Sequence, residues 1–191
     1  MKTSHSRIIR FLDLSIALVG AGVVLPVILI AGLLIRAGSP GPALFRQQRV
    51  GHNEKLFVCY KLRTMKQGTP SVGTHELLPA AVTPLGRILR RLKVDELPQL
   101  WNVLRGEMSL VGPRPCLPSQ AELIDERRLQ GVFAVRPGVT GPAQVKSIDM
   151  SMPVRLAKED ALWSRAPNVR DYVRIILLTA VGKGQGDRVR G

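Results

Sequence analysis

Two adjacent carboxylates, Asp95 and Glu96, stand in the stretch "LGRILRRLKVDELPQL", residues 85 to 100. Four cations precede them, Arg87, Arg90, Arg91 and Lys93, and Pro98 follows. A solvated charge cluster beside a helix start is the bland account. The chemical account is an anionic centre among cations that hold phosphates. Asp95 reads as the N-cap of a helix whose first turn is Glu96, Leu97 and Pro98, where proline is tolerated. A carboxylate there meets the positive end of the helix dipole, and nearby arginines act in the same direction. Asp95 is therefore expected to be ionised, a nucleophile or metal ligand rather than a general acid. Two adjacent carboxylates can also hold one Mg²⁺, a hard cation that bridges to substrate phosphate. Arg114 in "GPRP" and Arg136 in "RPGVTGP" sit in proline-stiffened turns and suit bidentate phosphate contacts. These residues together point to phosphoryl chemistry. No HExxH, CxxC or Walker pattern competes with that reading, and His5, His52 and His75 lie in polar, loop-like contexts.

The elements that must position these groups can be read coarsely. Two strand-like runs, Leu44 to Val50 and Leu56 to Arg63, flank "GHNE" as a turn and predict a small β-hairpin. Residues 66 to 82 lack periodicity and read as a loop. Leu85, Ile88, Leu89 and Leu92 follow the spacing of an amphipathic helix whose basic face could meet phosphates or lipid headgroups. Leu97, Leu100, Trp101 and Leu104 form the apolar stripe of the next helix, with Gly106 as its stop. A helix from about Leu117 to Gln130 separates the two proline turns. The run from Tyr172 to Val181 is too short to span a bilayer and reads as a core or interfacial helix. Residues 183–191 read as a disordered tail.

Residues 14 to 35, "LSIALVGAGVVLPVILIAGLLI", carry no charge. About 20 apolar residues suffice to cross the hydrocarbon core as a helix. Pro26 removes a backbone N–H near the middle and predicts a kink. The flanks are basic on both sides: Lys2, Arg7 and Arg10 before, Arg36, Arg46 and Arg49 after. A single crossing normally shows asymmetry, because cations mark the cytoplasmic side. Symmetric flanks and a central proline predict a re-entrant helix that enters one leaflet and returns, and a bitopic helix stays open as the alternative.

Composition sets outer bounds. With 191 residues the chain is one domain's worth of core. Its 28 Lys+Arg against 14 Asp+Glu give a net charge of +14 and an attraction to anionic partners. Aromatics make up only 4% and no nucleic-acid signature is present, which argues against nucleic acid. Cys59 and Cys116 are far apart, lack metal-ligand spacing and fit a reducing compartment.

Four ordered motifs carry a resemblance: "SPGPALFRQQRVG" (39–51), "FVCYKLRTM" (57–65), "TPLGRILRRLKVDELPQLWNVLRGEMSLVGPRP" (83–115) and "RPGVTGPAQV" (136–145). The chain resembles the bacterial sugar transferase family, the small monotopic phosphoglycosyl transferases, over roughly residues 7 to 181. The resemblance implies an α+β, monotopic membrane protein with a Pro-kinked re-entrant helix, interfacial amphipathic helices and a small β-sheet. Its units would be a membrane helix over 1–37, a catalytic domain over 38–182 and the tail. It would sit at the bacterial inner (cytoplasmic) membrane with the catalytic domain on the cytoplasmic face. The implied partners are a UDP-sugar, polyprenyl (undecaprenyl) phosphate and anionic lipids, with no nucleic acid and with homo-oligomerisation left open.

The implied reaction transfers sugar-1-phosphate to the polyprenyl phosphate and releases UMP, the first membrane step of glycoconjugate assembly. Asp95 would be the nucleophile and would hold Mg²⁺. Glu96 would help with the metal, position the acceptor or shuttle a proton. Arg114 and Arg136 would bind diphosphate or nucleotide, with Lys61 and Arg63 as further phosphate contacts. Departures from the family pattern stand at Ala81, where an arginine is usual, and at Lys93, where a serine is common. Others are Lys146-Ser147-Ile148 in place of Asn-Gly-Arg, and Leu25 before Pro26. They bear on the sugar recognised and on phosphate binding, and leave a catalytically inactive membrane adaptor as the competing class.

Overall fold

A computed structural model describes residues 2–70 and 79–184. Part of the loop expected over 66–82 and most of the expected tail lie outside them. The chain opens with α1, Lys2–Gly38, which keeps Pro26 inside one continuous helix. At 1.5 Å per residue it is roughly 55 Å long. Only a thin stripe of it is covered by protein: Ile9, Asp13 and Ala17 near one end, Ala31 and Ile35 near the other. Phe11, Leu18, Val19, Val23, Leu29, Ile30 and Leu33 are exposed. A soluble core helix would bury such residues, so this surface fits membrane association.

The expected hairpin is present. β1, Leu44–Val50, pairs antiparallel with β2, Leu56–Leu62, from Val50 opposite Leu56 to Leu44 opposite Leu62. His52–Glu54 makes the turn, with Asn53 and Glu54 in the left-handed region. Asn tolerates that region better than most residues. The loop after β2 is closed at its base, where Met65 bridges Val82 and Thr83 N–H donates to Thr64 O.

α2, Pro84–Arg91, starts where the Thr83 hydroxyl accepts from Gly86 N–H at 2.9 Å, with proline in its first turn. Its predicted stripe divides: Leu89 is buried, whereas Ile88 and Leu92 face outward. α3, Gln99–Leu104, also differs from expectation. Its buried face is Gln99, Asn102 and Val103, while Trp101 is 57% exposed. The reason is a double docking. Leu100 and Leu104 pack toward the cluster that includes Ile9 and Ala17 of α1, and Asn102 turns to β2.

β3, Ser109–Val111, and β4, Gly138–Thr140, form a short parallel ladder, with Ser109 opposite Gly138 and Val111 opposite Thr140. The crossover between them holds α4, Ala121–Leu129. This helix begins later than expected, because Leu117 N–H donates to the Gln120 side chain at 2.8 Å and closes a turn first. The two proline turns interlock at glycines. A Cβ on Gly112 would meet Arg136 O, one on Gly138 would meet Gly112 N, and one on Gly141 would meet Gly112 O. Backbones approach this closely only where no side chain intervenes.

α5, Pro142–Val145, α6, Pro153–Arg165, and α7, Val169–Ala180, complete the order. The Asn168 side chain caps α7 by accepting from Asp171 N–H at 2.9 Å. α7 buries Tyr172 and Ile175 and exposes Val173 and Leu177. One core cluster joins Val103, Met108, Leu110, Tyr172 and Ile175 to Ile9 and Ala17. A second gathers Leu62 and Leu89 around Ala31 and Ile35. Both ends of α1 are thus part of the same body.

Candidate active site

Asp95 is not the N-cap of α3. Lys93 adopts a left-handed conformation, φ 57°, and throws the chain into a separate 3-10 turn, Val94–Glu96. That turn is closed by Glu96 N–H to Lys93 O and Leu97 N–H to Val94 O. α3 begins three residues later, with Pro98 at its N-cap. Asp95 therefore does not cap that helix, and burial is the largest influence on its carboxyl. Asp95 is only 7% exposed.

The structure brings Lys61, Glu96 and Arg114 together. Glu96 Oε1 accepts from Arg114 Nη2 at 2.6 Å and from Lys61 Nζ at 3.2 Å. Burial raises the Glu96 pKa, but the Arg114 guanidinium and then the Lys61 ammonium outweigh it and hold the carboxyl well below the usual range. Asp95 shifts the other way. Burial, followed by repulsion from Glu96, pushes its carboxyl up to about 6 against the pull of Lys61, Arg90 and Arg114. The sequence-based expectation had nearby arginines act on Asp95 and named Lys61 and Arg114 as phosphate contacts; the structure sets Lys61 and Arg114 on Glu96. Asp95 is still mostly ionised near neutral pH, but as a base poised close to its own pKa.

Arg114 owes its aim to a backbone tied down on every side. Pro113 O accepts from Gly138 N at 2.9 Å and Arg114 O from Arg127 Nη1 at 2.8 Å. Pro115 O accepts from Arg49 Nη1 at 2.9 Å, and Cys116 O from Val50 N at 2.9 Å. Arg127 is itself anchored by a buried ion pair to Asp160 of α6 at 2.6 Å. Lys61 is placed by β2, which the buried Asn102 side chain holds against α3. Its Oδ1 accepts from Tyr60 N at 3.2 Å and its Nδ2 donates to Val58 O at 2.7 Å.

Two predicted residues lie elsewhere. Arg63 spends its guanidinium on Pro40 O, Ser39 O and Ser39 Oγ, and so pins the exit from α1. Arg136 donates from Nε to Gly106 O at 2.8 Å and sits near Arg10. Neither is in contact with the carboxylate pair among the described residues. Pro26 lies on an exposed stretch of α1.

Sequence reasoning missed Asp13, Asn102, Arg127 and Asp160. Asp13 is 1% exposed and accepts from Leu110 N at 2.8 Å, Tyr172 OH at 2.9 Å and Ser109 Oγ at 3.0 Å. It fastens α1 to β3 and α7. A charge just before an apolar run was its one available signal.

No cluster of three or more Asp, Glu, His or Cys groups that could cage a metal occurs among the described residues. Asp95 offers hard oxygen donors beside an already occupied Glu96. That set fits Mg²⁺ held by one carboxylate together with substrate phosphates, the usual way this ion is bound. A mostly apolar cavity of about 230 Å³ opens against the turn. Ile16, Leu97, Leu100, Val139 and Ile176 line it, with Lys93, Glu96, Thr140 and Thr179 at its polar margin.

A family model described as bacterial sugar transferase matches residues 4–183. The chain is 44% identical over 143 residues to the UDP-glucose:undecaprenyl-phosphate glucose-1-phosphate transferase of Caulobacter vibrioides, covering 73% of this chain and 54% of that protein. It is 44% identical over 111 residues to the putative undecaprenyl-phosphate N-acetylgalactosaminyl 1-phosphate transferase of Bacillus subtilis, covering 57% and 62%. It is 40% identical over 173 residues to the undecaprenyl-phosphate glucose phosphotransferase of Komagataeibacter xylinus, covering 86% and 32%. The chain thus spans less than two thirds of each of these relatives.

Proposed function

The chain belongs to the bacterial sugar transferase family, and from that premise we propose that it moves sugar-1-phosphate from a UDP-sugar to undecaprenyl phosphate at a membrane. The observation that carries this reading is the asymmetry of the carboxylate pair. Glu96 is neutralised by Arg114 and Lys61, while Asp95 keeps a buried carboxyl of raised basicity beside it. Such a pair separates an electrostatic anchor from a nucleophile.

In the proposed sequence an Asp95 carboxylate oxygen attacks the β-phosphorus of the donor. The bond from that phosphorus to the bridging oxygen breaks, and UMP leaves with that oxygen. A phosphosugar–aspartyl ester remains. An oxygen of the lipid phosphate then attacks the same phosphorus, the acyl–phosphate bond breaks, and Asp95 is released as carboxylate. Arg114 and Lys61, fixed through Glu96, present positive charge to the diphosphate as negative charge builds on the leaving group. Mg²⁺ held by Asp95 and substrate phosphates would supply further charge neutralisation there. Arg136 and Arg63 act at a distance in this reading, by fixing the Gly106 turn and the Ser39-Pro40 exit.

The membrane helix is re-entrant in this proposal. A helix that crosses puts its two ends on opposite faces of a core about 30 Å thick. Here Ile9 and Ala17 at one end, and Ala31 and Ile35 at the other, dock on one globular body. That is compatible with entry and return and hard to reconcile with crossing. Exposed Ile88 and Leu92 among the cations of α2 would rest on anionic headgroups.

The test is UMP release by full-length protein in nanodiscs with undecaprenyl phosphate, Mg²⁺ and a panel of UDP-sugars. Release that follows acceptor concentration, with an intact-mass adduct on Asp95 when acceptor is omitted, is the expected result. Release without any adduct under rapid quench would replace the two-step scheme with direct transfer.

A further inference from the structure

The cavity beside the Val94–Glu96 turn is about 230 Å³, smaller than the ~300–1,000 Å³ of sites that enclose a whole small ligand. It suits a segment of something larger. Its walls come from the apolar helix α1 (Ile16), from α3 (Leu100), from β4 (Val139) and from α7 (Ile176). One wall is therefore the same helix whose outer surface is uncovered and apolar. The polar margin is not random either. Lys93 stands there beside Glu96, with the hydroxyls of Thr140 and Thr179 hydrogen-bonded to each other at 2.7 Å. The Lys93 ammonium is held by a carbonyl, Lys183 O at 2.9 Å, with no carboxylate paired to it among the described ion pairs. Its left-handed backbone, φ 57°, fixes where the side chain leaves the turn.

An apolar slot with one cation at its mouth matches an amphiphile with an anionic head. Resting on the transferase reading above, we propose that this cavity receives the isoprenoid segment next to the phosphate of the lipid acceptor, with Lys93 contacting that phosphate. The nucleotide sugar is a poor occupant, because the slot is apolar and too small. A diacyl phospholipid is the competing occupant. The proposal gives the two substrates different cations around the same turn. Donor phosphates would meet Arg114 and Lys61, which hold Glu96, and acceptor phosphate would meet Lys93, two residues before Asp95.

The experiment uses full-length protein in detergent and farnesyl phosphate carrying a photoreactive group on its terminal isoprene. Crosslinked peptides are mapped for the wild type, Lys93→Ala, Lys93→Arg and Val139→Trp. Crosslinks on α1, α3 or α7 residues lining the cavity are expected, competed by undecaprenyl phosphate and not by phosphatidylglycerol or inorganic phosphate. Lys93→Ala should weaken apparent binding about tenfold, the scale of one charge-assisted hydrogen bond, and Lys93→Arg should restore most of it. Val139→Trp should block crosslinking while a thermal melt reports whether it folds. In turnover, Lys93→Ala should raise KM for the lipid and leave KM for the donor unchanged.

Crosslinks elsewhere, equal competition by phosphatidylglycerol, or unchanged binding in Lys93→Ala would overturn the proposal. Binding is read without turnover, so a protein that takes the lipid phosphate in this cavity but transfers no sugar would sink the transferase reading alone. A protein that transfers sugar yet crosslinks elsewhere would sink only the cavity assignment.

Discussion

Two arginine–carboxylate clusters are linked through the backbone of Arg114, and they are built differently. Arg127 and Asp160 meet at 2.6 Å with both side chains almost wholly buried, on helices α4 and α6. Arg114 and Glu96 also meet at 2.6 Å, but beside Lys61, Asp95 and a cavity. The first pair is closed: each charge has found its counter-charge, and Arg127 spends another donor on Arg114 O. The second gains both a further cation and a further carboxylate, Lys61 and Asp95, and shares its charge unevenly: Glu96 takes both close cations, while Asp95 is held at a raised pKa. The same side-chain types thus give a one-to-one bolt in one place and an unequal carboxylate pair in the other. What separates them is how the counter-charge is shared within the cluster.

The sharpest way to break that contrast is Asp95→Asn. It should reduce UMP release by roughly 10⁴-fold or more, the scale on which removal of a nucleophile acts, with an unchanged melting temperature. Residual turnover above about a hundredth of wild type would deny Asp95 the nucleophile's place. Asp160→Ala attacks the other cluster and should act through stability. Stranding one member of a buried pair costs about 3–5 kcal/mol, so the thermal midpoint should fall steeply. Activity measured well below that midpoint should survive better than in Asp95→Asn. If Asp160→Ala melts like wild type, the closed pair is not the bolt described.

Arg114→Lys comes next in size. A lysine keeps the charge but not the planar fork or the reach to Glu96. Loss of such a preorganised donor should lower kcat by about 10²-fold, while the melt moves little. A variant as active as wild type would show that the Glu96 contact is only structural.

The smallest effect is a displacement of the pH profile. Donor cleavage needs Asp95 ionised, so its rate should fall as pH drops through about 6. Glu96→Gln removes the repulsion and releases Arg114 and Lys61 toward Asp95, and both changes favour the anion. The acid limb should then move to lower pH in steady-state rates, and a limb that moves up would contradict the assignment. Stability follows the opposite sign for the two residues. The raised Asp95 pKa makes its ionised form a local cost to folding, relieved as pH falls from about 6 toward 3.8. The lowered Glu96 pKa gives a contribution present above the usual glutamate value and lost in strong acid.

Local grammar explains which parts were legible from sequence. The hairpin could be read because Gly51 and Asn53 give a turn signal between two strand-like runs, and α2 because Thr83 and Pro84 announce a helix start. The carboxylate pair and Arg114 were legible as chemistry. The N-cap reading of Asp95 failed at Lys93: a lysine gives no sign that it will turn left-handed, and that turn moved the helix start to Gln99. The contact of Lys61 and Arg114 with Glu96 was not legible for a related reason. Which of two adjacent carboxylates meets Lys61 and Arg114 depends on β2 and the glycine-locked turn, residues far apart in sequence. Asp13, Asn102 and the Arg127–Asp160 pair were invisible on the same ground. Each is a buried polar group whose burial depends on partners far away in sequence, and propensity carries no such information. α6 was not foreseen, and the β3–β4 ladder, three residues per strand, is too short to leave a pattern.

The anchoring of Asp13 has a consequence in time. Its partner Tyr172 lies 159 residues further along the chain. At ~5–20 residues per second, a ribosome makes the aspartate roughly 8–30 s before the tyrosine. Its other donors come earlier, because Ser109 and Leu110 follow it by 96 and 97 residues, so the aspartate waits for the tyrosine with only part of its set. Water must satisfy what they leave open, so the end of the helix bearing Asp13 stays at a wet surface until α7 is made. The docking of α7 over Asp13 then seals that end: a chain truncated before Tyr172 lacks the hydroxyl that closes the buried carboxylate, and the root of its apolar helix is left incomplete.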